Sequence, residues 1–184
     1  MSIEIKKAKI KSRLFLSYEY TAKENDVENK ISTSSDAPIH EDLQTAFDSL
    51  IPHLAHICEE EVLKSVSALE VERLYPKYKV TGITIAGSDD TEGVVISGYK
   101  TLASEKVVNF NTPFQKFNDE KYPFASELYN SVGTLKSEVL EYMDGKQAER
   151  SAVGTFNFDD DESEGSFSLS EEMNSEFSTA DDHE

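Results

Sequence analysis

Residues 6–20, KKAKIKSRLFLSYEY, constrain the fold more than any other stretch of this chain. With the two-residue period of a strand, the even positions are Ala8, Ile10, Ser12, Leu14, Leu16, Tyr18 and Tyr20. The odd positions are Lys7, Lys9, Lys11, Arg13, Phe15, Ser17 and Glu19. One side is therefore largely apolar, and the other is a row of cations ending in an aromatic ring. The apolar side requires a cover from later in the chain. The cationic side requires a counter-charge.

The segment after Tyr20 reads as an exposed hairpin tip over residues 22–29, with a short return strand over 30–33. Residues 34–38 resemble a helix start, with Asp36 as cap and Pro38 in the first turn. Ile39, Leu43, Phe47, Leu50, Leu54 and Ile57 then recur at three- and four-residue steps, the mark of a one-sided helix. Pro52 should kink or break it near Leu50, with a second short helix running to about Ser67. Residues 68–77 read as a connecting loop.

The period then changes. Residues 78–86, 94–102 and 106–111 are rich in β-branched and aromatic residues and predict an antiparallel meander, with SDDTEG as its first loop. A last helix begins at Pro123, with Phe124, Leu128, Val132, Leu135, Val139 and Tyr142 on one stripe and Gly145 as its stop. The fold class is α+β: a small antiparallel sheet carrying two amphipathic helical segments. The strand count leaves open closure into a partly open barrel of the oligonucleotide-binding type.

Charge divides the chain at about residue 156. Residues 157–184 hold 11 acidic residues and no Lys or Arg. Residues 1–156 then hold 18 basic and 25 acidic residues, a net charge of −7 against −18 for the whole chain of 184. Such a segment cannot bury enough apolar surface to fold alone and predicts a disordered acidic tail behind a single domain. Phe158, Phe167 and Phe177 punctuate its acids, the composition of a short motif that docks on a protein partner.

Cys58 is the only cysteine, which rules out an intrachain disulfide and fits a reducing compartment. No run approaches the ~20 apolar residues of a membrane span. The expectation is a cytoplasmic protein without membrane contact. Catalysis is hard to assemble: no phosphate-cradling glycine loop and no paired cysteines occur. His53, His56 and Glu60 fall one helical turn apart, yet no second ligand-rich segment accompanies them, and no metal or cofactor is expected.

The cations of residues 7–13 suit phosphates, and rings beside them suit stacked bases. The proposed contacts are Lys7, Lys9, Lys11, Arg13 and Phe15, joined by Lys77, Lys79, Tyr99 and Lys100 from YPKYK and YK. Edge lysines that merely prevent aggregation present the same pattern. A basic, aromatic domain followed by an acidic tail with spaced phenylalanines resembles phage-type single-stranded DNA-binding proteins. Residues 35–59 also resemble a segment of small phage and prophage proteins. The first resemblance implies a non-enzymatic role in DNA replication or recombination, with the tail recruiting a protein and competing with DNA. The alternative is an acidic adaptor or DNA-mimicking decoy for a host or defence protein. Whether the chain forms a homo-oligomer is open.

Overall fold

The computed structural model describes residues 2–24, 27–63 and 68–149. Its first three strands are β1 (Ser2–Lys11), β2 (Phe15–Glu24) and β3 (Val27–Pro38), joined as consecutive antiparallel hairpins. Residues 6–20 are thus two strands, not one. A single strand of that length would extend ~50 Å at 3.4 Å per residue. Instead Ser12 and Arg13 take positive φ of 50° and 64°, and the Leu14 N–H closes the turn on the Lys11 carbonyl at 3.1 Å. That left-handed pair matches the twist of a hairpin, although neither residue is the usual Gly or Asn.

The alternation survives the turn. Antiparallel partners share a face, and Ala8 pairs with Tyr18, Ile10 with Leu16, and Lys9 with Ser17. Even numbers therefore stay with even. Leu14 and Arg13 drop out of the rows because they lie in the turn, where Leu14 is 55% exposed. A bulge between Ile5 and Lys7 shifts the parity and turns Ile5 into the core.

Residues 34–38 end β3 and do not open a helix. Phe15 pairs with Pro38, which the edge position tolerates because its missing N–H would face outward. Helix α1 (Glu41–Asp48) starts later, capped by the His40 ring nitrogen, which accepts the Asp42 N–H at 3.3 Å. Pro52 does break the helix: α2 (Ile51–Ile57) carries it in its first turn. This helix stops ten residues before Ser67. Glu59 turns left-handed at φ 57°, and Glu60 N–H bonds back to the Ala55 carbonyl at 2.9 Å. Three successive glutamates at that end oppose the helix dipole, which favours the stop. Residues 68–74, expected as loop, form α3 (Ala68–Leu74), whose Val71 is buried.

The meander comes out nearly as expected, as β4 (Tyr78–Ala86), β5 (Gly93–Thr101) and β6 (Val107–Asn111). A two-residue β7 (Gln115–Lys116) continues along the same side of β5. Helix α4 (Ala125–Met143) buries Leu128, Val132, Leu135, Val139 and Tyr142. It ends where expected: Gly145 has φ 105°, and its N–H and that of Lys146 bond back to Tyr142 and Glu141. The Tyr142 hydroxyl donates to the Ala37 carbonyl at 2.6 Å, tying α4 to β3.

The strand order is β3-β2-β1-β4-β5-β6, so the sheet is open and the barrel is not formed. The α+β class stands. Helices cover one face only. Their core residues Leu43, Phe47, Leu50, Leu54, Leu135 and Val139 pack with Ala8, Leu16, Ile83 and Ile96 of the strands. The opposite face has no covering layer among the described residues. No described helix is long and apolar enough to cross a membrane. The tail, with Phe158, Phe167 and Phe177, lies outside the described residues.

Candidate nucleic-acid interface

The uncovered face is built by register. Lys7, Lys9 and Lys11 of β1 pair with Glu19, Ser17 and Phe15 of β2, and those pair in turn with Ser32, Ser34 and Pro38 of β3. On the other flank, Lys7 pairs with Thr84 and Lys9 with Gly82, which sets Val95, Ser97 and Tyr99 of β5 on the same side. The face is therefore a polar field of serines, threonines, lysines and the glutamates Glu4, Glu19 and Glu28, with two half-buried rings, Phe15 and Tyr99.

Its cations are not equivalent. Lys7 Nζ lies 3.2 Å from Glu19, whose second oxygen receives Lys30 at 3.3 Å. The Lys7 hydrogen bond, then that of Lys30, holds the Glu19 carboxyl below its usual range. Lys11 donates to the Ser34 hydroxyl at 3.0 Å. Lys9 and Arg13 are exposed and have no acidic partner among the described residues. Glu4 and Glu28 share this face with Glu19, opposite Thr21 and Lys23, and further carboxylates lie on the helix side. Glu41, Asp42 and Asp48 sit on α1, Glu59 to Glu61 after α2, and Glu138 and Glu141 on α4. There Lys146 is gripped by Glu141, Asp42 and Glu138 at 2.6, 2.8 and 2.9 Å.

A cleft opens where β1 and β4 separate. The two strands pair only across Lys7–Thr84, Ala8–Ile83 and Lys9–Gly82. Beyond that, the left-handed turn carries β1 away and a bulge at Thr81 bends β4. The space between them, about 280 Å³, is lined by Ile10, Arg13, Gln44, Lys79, Val80, Thr81 and Tyr99. Gln44 reaches it from α1 in the helix layer.

The register thus gathers Lys7, Lys9, Lys11, Phe15 and Tyr99 on one side of the sheet, while Arg13, in the turn, and Lys79, whose Nζ reaches Asp48 of α1, stand at the cleft. Lys77 is exposed in the turn before β4, at the end of the sheet, where its carbonyl accepts the Thr101 N–H at 2.8 Å. Lys100 does not belong with them. It points to the helix side, 2.8 Å from Glu60 and 4.9 Å above the Tyr78 ring, because alternation along β5 opposes it to Tyr99. The Glu60 hydrogen bond raises its pKa. Tyr75 and Tyr78 are likewise core rings, 1% and 2% exposed, and cannot stack bases. Gln44, Thr81 and Lys30 escaped the sequence reading. A bulge and a non-local register placed them, and neither has a local signature.

No cluster of three or more metal-ligating side chains, around His53 and His56 or elsewhere, occurs among the described residues. His53 is fully buried with its Nδ1 2.6 Å from the Tyr122 hydroxyl, and His56 meets the rings of Tyr122 and Phe124. Cys58 is partly buried, and desolvation pushes its thiol pKa up, away from reactivity. In comparisons with known proteins, no family model, no curated protein and no solved structure matches this chain.

Proposed function

We propose that this protein binds single-stranded nucleic acid on the uncovered face of its sheet, as a cytoplasmic, phage-type DNA-binding protein of replication or recombination. The observation that supports this most is the distribution of charge. Lys7, Lys9 and Lys11 share the open face with Phe15 and Tyr99, and Arg13 and Lys79 stand at the cleft beside it. Of the acids, Glu4, Glu19 and Glu28 share that face, while Glu41, Asp42, Asp48, Glu138 and Glu141 lie on the helices. Cations in a track with interspersed rings are what an unpaired strand requires: phosphates for the charges, exposed base faces for the rings. The serines and threonines between them add neutral donors to phosphate oxygens. In this reading the acidic tail recruits a protein partner.

The test is fluorescence anisotropy of a labelled oligonucleotide across a salt series, with the full chain and with Lys9→Ala/Lys11→Ala/Arg13→Ala. Each phosphate engaged on a single strand contributes ~0.7 to the log–log slope, so the triple variant should flatten it by about 2. Binding should weaken alike for every sequence. If neither the full chain nor residues 1–156 bind at low salt, the reading falls. The acidic decoy for a DNA-binding protein then takes its place.

A further inference from the structure

We infer that the cleft between β1 and β4 seats one nucleotide of the bound strand, its phosphate between Arg13 and Lys79 and its base against Tyr99. The inference rests on the nucleic-acid reading and adds to it a defined pocket for a single residue of the ligand.

The lining carries the argument. Neighbouring hollows are edged by Asp48 and Glu72, by Asp42 and Glu138, or by Asp119 and Glu120. This one has two cations and no carboxylate. Arg13 is held at the rim by a left-handed turn and has no acidic partner among the described residues. Lys79 has only a loose contact with Asp48, at 3.7 Å, and the Gln44 amide already donates to that same carboxylate oxygen at 3.2 Å. A phosphate can therefore take Lys79 without stranding Asp48. An arginine and a lysine converging on one opening form a charge-assisted site for a phosphate group.

The remaining walls suit a base. Tyr99 contributes a ring, Ile10 and Val80 an apolar floor, and Thr81 and Gln44 polar edges. The Gln44 side-chain oxygen, with its amide turned to Asp48, is left as an acceptor for a base amino group. At about 280 Å³ the space holds one such group and not a folded ligand. Lys9 and Lys11 lead to the rim along the same strand face, so an oligonucleotide following them arrives at the opening.

The experiment is a titration of the isotope-labelled full chain, followed by amide chemical shifts, with 2′-deoxyadenosine 5′-monophosphate, 2′-deoxyadenosine and inorganic phosphate as separate probes. The nucleotide should shift Arg13, Gln44, Lys79, Thr81 and Tyr99 together and bind more tightly than either fragment. Arg13→Ala and Tyr99→Leu should each weaken it about tenfold, the size of a lost stacking or charge contact. Lys106→Ala, an exposed cation in the loop before β6, should leave it unchanged. Tyr99→Leu keeps an apolar side chain on β5, and Arg13 is on an exposed turn, so both variants should fold; their unlabelled spectra check this. Equal shifts from phosphate and nucleotide would mean an adventitious ion only and overturn the proposal. So would an oligonucleotide affinity that falls with Lys9→Ala but not with Tyr99→Leu, an outcome that leaves the open face standing. If the nucleotide fills the cleft while oligonucleotides fail to bind, the pocket holds and the strand-binding reading falls.

Discussion

Acid should destabilise this protein through one histidine before its carboxylates begin to respond. His53 is fully buried in α2; its Nδ1 is 2.6 Å from the Tyr122 hydroxyl, and its Nε2 is buried without a partner. A protonated ring needs an acceptor at both nitrogens, and only one is provided. Burial, with a smaller effect from neighbouring His56, lowers its pKa from 6.5 to about 4. The unfolded chain therefore binds a proton near pH 6.5 that the fold refuses until about pH 4. Between those values the unfolded state holds more protons, so stability rises with pH and is lost as pH falls. The loss runs at about 1.4 kcal/mol per pH unit and sums to about 3 kcal/mol, a large share of the 5–15 kcal/mol typical of a domain.

Urea unfolding at half-unit steps from pH 7.5 to 4 measures this against His53→Gln, which can still pair with Tyr122 but does not titrate. The stability difference between the two proteins should change by about 3 kcal/mol across the range. Carboxylates held low by their partners, Glu19 by Lys7, Asp42 by Lys146 and Asp119 by the Lys121 N–H, give up their contribution only at lower pH. Asp48, raised by burial, has the opposite sign. Parallel curves for wild type and His53→Gln would refute the assignment.

Phe47→Ala and Leu135→Ala remove side chains with no exposed surface, and each should cost about 2–5 kcal/mol in chemical denaturation. Gly98→Ala puts a Cβ 2.4 Å from the Lys79 carbonyl oxygen and 2.5 Å from Leu54, and should lower stability by about 1–3 kcal/mol or more. Gly133→Ala meets nothing within 4 Å inside α4 and should raise stability by up to about 1 kcal/mol. Deleting residues 157–184 should leave the melting temperature nearly unchanged while tightening single-stranded DNA binding at low salt. A large fall in melting temperature would show that the tail is structural.

What the sequence disclosed was periodic and local. Leu128 to Tyr142 announced α4, the β-branched runs announced β4 to β6, and Pro52 announced the break between α1 and α2. What it concealed depended on backbone geometry without a residue signature. The turn at Ser12 and Arg13 uses left-handed residues that are neither Gly nor Asn, so two strands looked like one. Residues 34–38 mimic a helix cap in composition, and only pairing with β2 shows them to be strand. The same holds for the site. The lysine row was legible because it is a period of two along one strand. Lys100 was misplaced because adjacency to Tyr99 says nothing about side, and on a strand neighbours oppose each other. The cleft was invisible because it is the gap left by a register that ends after three pairs.

The net charge of −18 is the strongest objection to the proposed nucleic-acid ligand, and the arrangement of the charges bears on it. A ligand on the open face is separated from the helix-layer carboxylates by the sheet itself, about 10 Å, the thickness of one packed layer. At physiological salt the screening length is about 8 Å, so those acids act weakly through the body, while Lys9, Lys11 and Arg13 act in direct contact. At about 0.01 M salt the length grows to about 30 Å, and the whole molecule, tail included, repels a phosphate chain. Counter-ion release pulls the other way, strengthening binding as salt falls. The opposition of these two terms explains why removal of 11 tail acids should matter most at low salt. A DNA mimic, by contrast, would require its acids on the surface that meets the partner.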